Sequence, residues 1–189
     1  LNPYRAAANR TQPRDASHVS NTIPDAVATY GNFQWLDPGN AAAEEHTLAV
    51  VRDVLSRYDI DGLHFDDYFY PYPNETDFPD GASYATYQGG GGVLDRGDWR
   101  RDNVNRMVRR VSEVVAEVAP NVRFGISPFG IYRPGIPEGI TGLDQYAAIY
   151  ADPPVWINEG WVDYLAPQLY WPSTQTRQAY EPLTEWWGT

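Results

Sequence analysis

The stretch Tyr58-Asp59-Ile60-Asp61-Gly62-Leu63-His64-Phe65-Asp66-Asp67-Tyr68-Phe69-Tyr70-Pro71 decides how the chain is read. Leu63 and Phe65 alternate with His64 and Asp66, the period-two pattern of a strand with unlike faces. One face is apolar; the other carries a histidine and an acid. A second acid and the rings of Tyr68, Phe69 and Tyr70 follow, and Pro71 and Pro73 stop the strand. A carboxylate at the C-terminal tip of a strand that follows a helix occupies the position where α/β barrels place their chemistry.

The flanking segments fit that position. Upstream, Leu48, Val51, Leu55 and Tyr58 recur at helical spacing. Asp37-Pro38 has the form of a cap acid followed by proline at the first helical position, so a helix of about five turns is expected to lead into the strand. Before it, residues 6–36 show no sustained period and predict a long loop, while residues 1–5 read as the end of a strand with Asn2 and Arg5 at its tip. Downstream, Pro73 to about Arg96 is irregular, with Asn74, Glu75, Asp77, Asp80 and the run Gly89 to Gly92, the composition of a mobile flap. Phosphate-cradling use of that glycine run is disfavoured, since no Lys-Ser/Thr follows it.

Asp98 then reads as the cap of a long helix with an apolar stripe of Val104, Met107, Val108, Val111, Val115 and Val118. A solvated face accounts for Arg106, Arg109 and Arg110. Arg100 and Arg101 sit at the helix start, where cations are unfavourable, and are expected to pair with acids of the flap or the site. Val122 to Gly130 and Val162 to Trp171 read as two further strands. The segment between them is loop with one helical turn at Asp152-Pro153, Trp156 lying on the surface or in the site, and Thr174 to Trp187 reads as a last helix.

Strands alternating with helices specify an α/β fold with a parallel sheet and right-handed crossovers. Four such units are half the complement of a closed (β/α)₈ barrel, leaving a half-barrel or a small open sheet in one partial domain, 1–189. No dinucleotide fingerprint supports a Rossmann arrangement.

The 189 residues, 42% hydrophobic and 21% charged, suffice for one globular domain with a real core. No apolar run approaches the roughly 18 residues of a membrane span. The chain lacks an initiator Met and opens on Leu1-Asn2-Pro3, which reads as a piece of a longer protein. A formal charge of −11 argues against nucleic acid as partner, because phosphate binding needs a basic face. All 14 basic residues are Arg, and zero Cys removes disulfides, thiolate metal sites and cysteine nucleophiles. The 7 Trp and 14 Tyr exceed what a core of this size requires, and their concentration at strand tips beside acids suits the stacking of sugar rings.

Five ordered phrases carry a resemblance: Leu1-Asn2-Pro3-Tyr4-Arg5; Asp61 to Pro71; Asp98-Trp99-Arg100-Arg101-Asp102-Asn103-Val104-Asn105; Phe124-Gly125-Ile126-Ser127-Pro128-Phe129-Gly130; and Gly160 to Trp171. Together the phrases resemble the glycosyl-hydrolase-like 10 family. The resemblance implies a (β/α)₈ TIM-type barrel of which these strands are the third to sixth, an exported or cell-envelope location, and action on an oligosaccharide or polysaccharide.

Glycoside cleavage needs one carboxyl group to donate a proton and another to stabilise or attack the oxocarbenium-like centre, about 5 to 5.5 Å apart for retention and about 6.5 to 9.5 Å for inversion. Asp66, on the His64 face, is the expected nucleophile or charge stabiliser, with His64 binding a hydroxyl or orienting it. Asp67 is the competing catalytic acid, and adjacent strand residues point to opposite faces unless the backbone curls. Its other reading is a turn cap or a partner of Arg5 or Arg100. Proton-donor candidates within the chain are Asp67, Asp152 and Glu159. Asn2, Arg5 and Gln168 offer hydrogen bonds to sugar hydroxyls, and Tyr68, Tyr70, Tyr170 and Trp171 offer stacking faces. No cofactor is called for. A metal reading of His64, Asp66 and Asp67 lacks matching ligands at His18 or His46. Ser127 has no Gly-x-Ser-x-Gly elbow, which disfavours acyl-enzyme chemistry. A non-catalytic carbohydrate-binding barrel and a metal-dependent hydrolase or deacetylase are the rival functions.

Overall fold

In the computed structural model, which describes residues 3–189, the first long helix starts at Asn40 rather than Asp37. The Asn40 side chain accepts from the Ala42 N–H at 2.9 Å, and α2 runs over Ala41–Arg57. Asp37 lies outside the helix, accepting from the Gly39 N–H at 2.9 Å and from the Ser83 hydroxyl. The other long helix, α4 (Arg96–Val118), is likewise capped upstream of the expected position: Asp95 accepts from the Asp98 N–H at 2.9 Å. Its buried residues include Val104, Met107, Val108, Val111 and Val115, each at most 5% exposed. Full burial of such a side chain contributes about 1.5–3 kcal/mol.

The stripe packs on α2 and on the apolar face of a parallel sheet made of β4 (Gly62–Phe65), β5 (Arg123–Ile126) and β6 (Tyr164–Leu165), in that order. Leu63 and Phe65 belong to this core, so the alternation in the opening stretch assigns β4 its two faces correctly. Between the helices Glu44, 4% exposed, accepts from Arg106 Nε at 2.8 Å and Arg110 Nη1 at 2.7 Å. Those two arginines therefore clamp the helix pair instead of simply meeting solvent; Arg109 faces Glu113 at 3.7 Å, as a surface pair would.

Register places three residues side by side on the other sheet face. His64 lies opposite Gly125, and Gly125 opposite Tyr164. Position 125 must be glycine here, because a Cβ would come 2.1 Å from Tyr164 Cζ. The removed side chain leaves room for the tyrosine ring to cross the strand toward His64.

Residues 6–36 differ from the predicted loop. They contain β1 (Arg5–Ala7), the short helix α1 (Val19–Thr22), β2 (Val27–Tyr30) and β3 (Phe33–Leu36), and the strands form a separate antiparallel sheet in the order β1-β3-β2. β2 and β3 are joined through Gly31, whose φ of 57° is readily adopted by glycine, and Asn32. The N-terminal strand thus pairs with β3, not with the parallel sheet. None of these three strands alternates buried and exposed positions, so no period-two pattern marks them.

Segment 73–96 also holds more structure than a flap. It carries α3 (Gly81–Gly89), and Asp80 beside it is fully buried against Arg96 and Arg100. Arg100 does pair with acids of this segment, as its place at the helix start requires; Arg101 pairs with Asp98 and donates to the Tyr146 carbonyl at 2.9 Å. The remaining elements are α5 (Gln145–Ala148), α6 (Pro153–Asn158) and α7 (Tyr180–Trp187). Trp156 of α6 is a core residue, not a surface or site one: it is fully buried, packs on Phe69 at 5.1 Å, and donates from Nε1 to Asn105 Oδ1 at 2.7 Å. The fold is thus mixed α/β with two three-stranded sheets; among the described residues no closed barrel forms, and no helix is long and apolar enough to cross a membrane.

Candidate active site

The β4 ladder ends with Phe65 opposite Ile126, and the two acids come immediately after it. Strand alternation no longer governs them. The Asp67 N–H donates to Asp66 Oδ1 at 3.0 Å, and the Phe69 N–H donates to the Asp67 carbonyl at 2.9 Å, closing a tight turn. The curl places Asp67 beside Asp66, whose charge acts on it.

Each acid has its own second partner. Gln168 Nε2 donates to Asp66 Oδ1 at 2.9 Å and to the Ser127 carbonyl at 3.1 Å. Gln168 is held beside the β5 tip by a parallel bridge to Phe129 and by its own N–H on the Pro128 carbonyl at 3.0 Å. The Tyr72 hydroxyl donates to Asp67 Oδ2, and Tyr72 is fixed between Pro71 and Pro73.

Burial separates the pair. Asp67 is 3% exposed, whereas Asp66 is half-buried. Burial is the main cause that raises the Asp67 carboxyl above its ordinary value; the Asp66 charge adds to it, and the hydrogen bonds from Tyr72 and Gln168 oppose it. Burial and the neighbouring Asp66 charge both favour the protonated form of Asp67.

Beneath the acids lies a second polar layer. His64 Nδ1 faces the Tyr164 hydroxyl at 2.9 Å, its Nε2 faces Ser127 Oγ at 2.6 Å, and its ring stacks on Tyr164 with centroids 5.7 Å apart. Burial holds the imidazole below its ordinary pKa, against the pull of Asp66. A neutral ring at pH 7 donates through one nitrogen and accepts through the other. Both nitrogens thus face side-chain hydroxyls, and among the described residues no three His, Asp or Glu side chains form a metal-binding group.

The residues singled out in the sequence fall into three places. Arg5, His64, Asp66, Asp67, Tyr68, Gln168 and Trp171 are joined by a chain of contacts around the strand tips. Arg5 lies 5.1 Å from both the Phe33 and Tyr68 ring centroids, and Trp171 meets Phe129 at 5.7 Å. Tyr70 is enclosed, 1% exposed, between Phe78, Tyr150 and Arg100, so its ring faces protein. Tyr170 is 83% exposed in a separate cleft beside α7, with Pro167, Leu169, Tyr180 and Trp187. Asn2 lies outside the described residues. Among the other acids, Asp152 accepts from the Tyr132 hydroxyl at 3.0 Å and is raised by burial, and Glu159 is exposed at the end of α6. The partners of Asp67 include neither expected arginine: Arg100 is engaged by Asp77 and Asp80, and Arg5 stacks on rings.

Tyr72, Tyr164, Phe33 and Phe129 are absent from the sequence-based site. Tyr72 had a readable signal in its rigid Pro-Tyr-Pro setting a few residues past the acids. Tyr164 had one in the glycine at the neighbouring strand position, but only once register was known.

The sequence profile of the glycosyl hydrolase-like 10 family matches residues 5–189. The chain is 41% identical over 196 residues to glycosyl hydrolase YngK of Bacillus subtilis, an alignment covering 100% of this chain and 38% of that protein. It is 33% identical over 203 residues to glycosyl hydrolase DigH of Escherichia coli, covering 100% of this chain and 46% of that protein. The chain belongs to the glycosyl hydrolase-like 10 family and spans less than half the length of these curated relatives.

Proposed function

We propose that this member of the glycosyl hydrolase-like 10 family supplies the acid side of a glycoside hydrolase site acting on a polysaccharide, with β4, β5 and β6 as neighbouring strands of a (β/α)₈ barrel. The observation that carries the reading is the curled Asp66–Asp67 pair at the tip of β4, one acid buried and one half-open to the mouth. The proton held on Asp67 passes by way of Asp66 to the glycosidic oxygen, which leaves both acids ionised. The C1–O bond breaks with its electron pair going to that oxygen, and water adds to the oxocarbenium-like carbon, returning a proton to the pair.

Asp66 and Asp67 stand on one turn at the tip of one strand, the Asp67 N–H on Asp66 Oδ1 at 3.0 Å, whereas the two carboxyls of a glycosidase flank the bond about 5 Å or more apart. The pair therefore works as one acid–base unit, and the group opposing it across the sugar comes from elsewhere. Gln168 holds Asp66, and the His64–Ser127–Tyr164 layer supports the floor below. The test is release of reducing ends from polysaccharide by the full-length protein. Asp66→Asn and Asp67→Asn should each lower turnover about 10²- to 10⁴-fold, the usual worth of a general acid, with binding retained. Turnover undiminished in both variants would sink the assignment; binding by a full-length protein that never turns substrate over would favour the non-catalytic barrel.

A further inference from the structure

A run of ring contacts passes the two acids. Phe33 meets Trp35 at 6.3 Å, Trp35 meets Tyr68 at 6.0 Å, Tyr68 meets Tyr72 at 6.3 Å, Tyr72 meets Phe129 at 6.1 Å, and Phe129 meets Trp171 at 5.7 Å. Trp35 is 1% exposed and donates from Nε1 to the Phe69 carbonyl at 2.7 Å, so it buttresses the run from below. Phe33 and Tyr72 are each 37% exposed, and Tyr68, Phe129 and Trp171 are half-buried. A core ring would be covered; these keep surface available for a ligand.

The position of the acids along the run gives it meaning. Tyr72, in the middle, donates to Asp67, and Phe129 bridges to Gln168, which holds Asp66. One arm continues from there through Tyr68 to Phe33, braced by the Arg5 guanidinium over both rings. The other continues through Phe129 to Trp171, which rest on a small separate core of Ile131, Ile140 and Leu183. A site that removes terminal sugars needs platforms on one side of its acid and a wall on the other. Here braced rings extend on both sides.

We infer that the ring track from Phe33 to Trp171 holds a polysaccharide chain on both sides of the acid pair, so that cleavage is internal to the chain rather than at its end. This rests on the hydrolase reading for cleavage, but the binding track stands on its own geometry. Binding along remote sugars is realised as rate at the reacting centre, so substrate length becomes a kinetic variable.

The full-length protein is assayed on end-labelled polysaccharide and on a ladder of oligosaccharides of increasing length. Mid-length products should dominate from the earliest times, and kcat/KM should rise with each added sugar on either side of the cleaved bond. Phe33→Ala and Trp171→Ala should each lower kcat/KM for long oligosaccharides about tenfold, a loss of ~1.4 kcal/mol, and flatten the length dependence on their own side only. Release of one or two sugars from the chain end at the first time point, or length dependence on one side alone, would overturn the inference. Calorimetry with Asp67→Asn separates the two readings: affinity that grows with length and falls in both arm variants upholds the track even if no hydrolysis is ever found. Affinity that does not depend on length refutes the track even in an active hydrolase.

Discussion

Replacing Arg100 with methionine should cost the fold about 3 kcal/mol, although the side chain touches neither acid of the site. Arg100 is 4% exposed and donates through every arm of its guanidinium: Nε to Asp80 Oδ2 at 2.7 Å, Nη2 to Asp80 Oδ1 at 2.8 Å, and Nη1 to Asp77 Oδ1 at 2.9 Å and to the Tyr150 hydroxyl at 2.7 Å. Its charge also lies over the Tyr70 and Tyr150 rings, at 5.4 and 5.0 Å. Removing one member of a buried pair costs about 3–5 kcal/mol, because the other charge is left without its solvent or its partner. Asp80 is fully buried but retains Arg96, whose Nε stays 3.0 Å away and whose side chain is 37% exposed, so the lower end of that range applies.

The assay is urea unfolding of the single and double variants. With a slope of about 2 kcal/mol per molar urea, the Arg100→Met midpoint should fall by about 1.5 M. Combining it with Asp80→Leu removes the stranded charge, and most of the loss should return, since well-packed apolar replacements of a buried pair are often neutral. A single-variant cost below about 1 kcal/mol, the worth of a surface ion pair, would refute the reasoning. So would a double variant no more stable than Arg100→Met alone.

Two further outcomes follow from the site. Tyr72→Phe keeps the ring but removes the hydroxyl that favours ionised Asp67, so the Asp67 carboxyl should rise further. The acid acts in its protonated form, and its activity is lost as pH rises through its pKa; the alkaline limb of kcat should therefore move to higher pH, and a shift to lower pH would count against Asp67 as proton holder. Gly125→Ala puts a Cβ 2.1 Å from Tyr164 Cζ and should destabilise by about 1–3 kcal/mol through overpacking. Adding Tyr164→Ala should recover part of the melting temperature, and a cost equal in the presence and absence of the tyrosine ring would show that the clash is not its cause.

The two long helices were legible because each has enough residues for its period to show, and the three parallel strands because short apolar runs bounded by turn residues alternate with the helical segments. Val104 to Val115 spans several turns, and Leu63 and Phe65 announce the buried face of β4. The antiparallel sheet was not legible, since Arg5–Ala7, Val27–Tyr30 and Phe33–Leu36 are fixed by pairing with one another rather than by any pattern of their own. Helix starts were misplaced for a related reason. Asp37 and Asp98 are both good cap residues near the right place, and the choice of Asn40 and Asp95 depends on where tertiary packing lets the first turn begin. Tyr70 shows the limit for single aromatics: it lies in the richest stretch of the chain, yet its ring is spent on Arg100, Tyr150 and Phe78.

The acids are the instructive case. Period-two alternation sends Asp66 to the mouth and Asp67 to the opposite face, but that rule holds only as far as the ladder that enforces it, and the ladder stops at Phe65. Two residues later the Asp67 N–H is bonded to the Asp66 side chain instead of to a neighbouring strand. That exchange takes Asp67 out of the strand's alternation while leaving it buried, so that the two neighbours differ in solvation. Adjacent acids at a strand end are thus a different chemical object from acids on two strands. In the proposed role these neighbours deliver one proton, favoured on the buried member by desolvation, from one side of a sugar. The proposed hydrolysis requires an opposing group, and the place to seek it is across from Asp66, on the far side of the proposed chain along Tyr68, Tyr72 and Phe129.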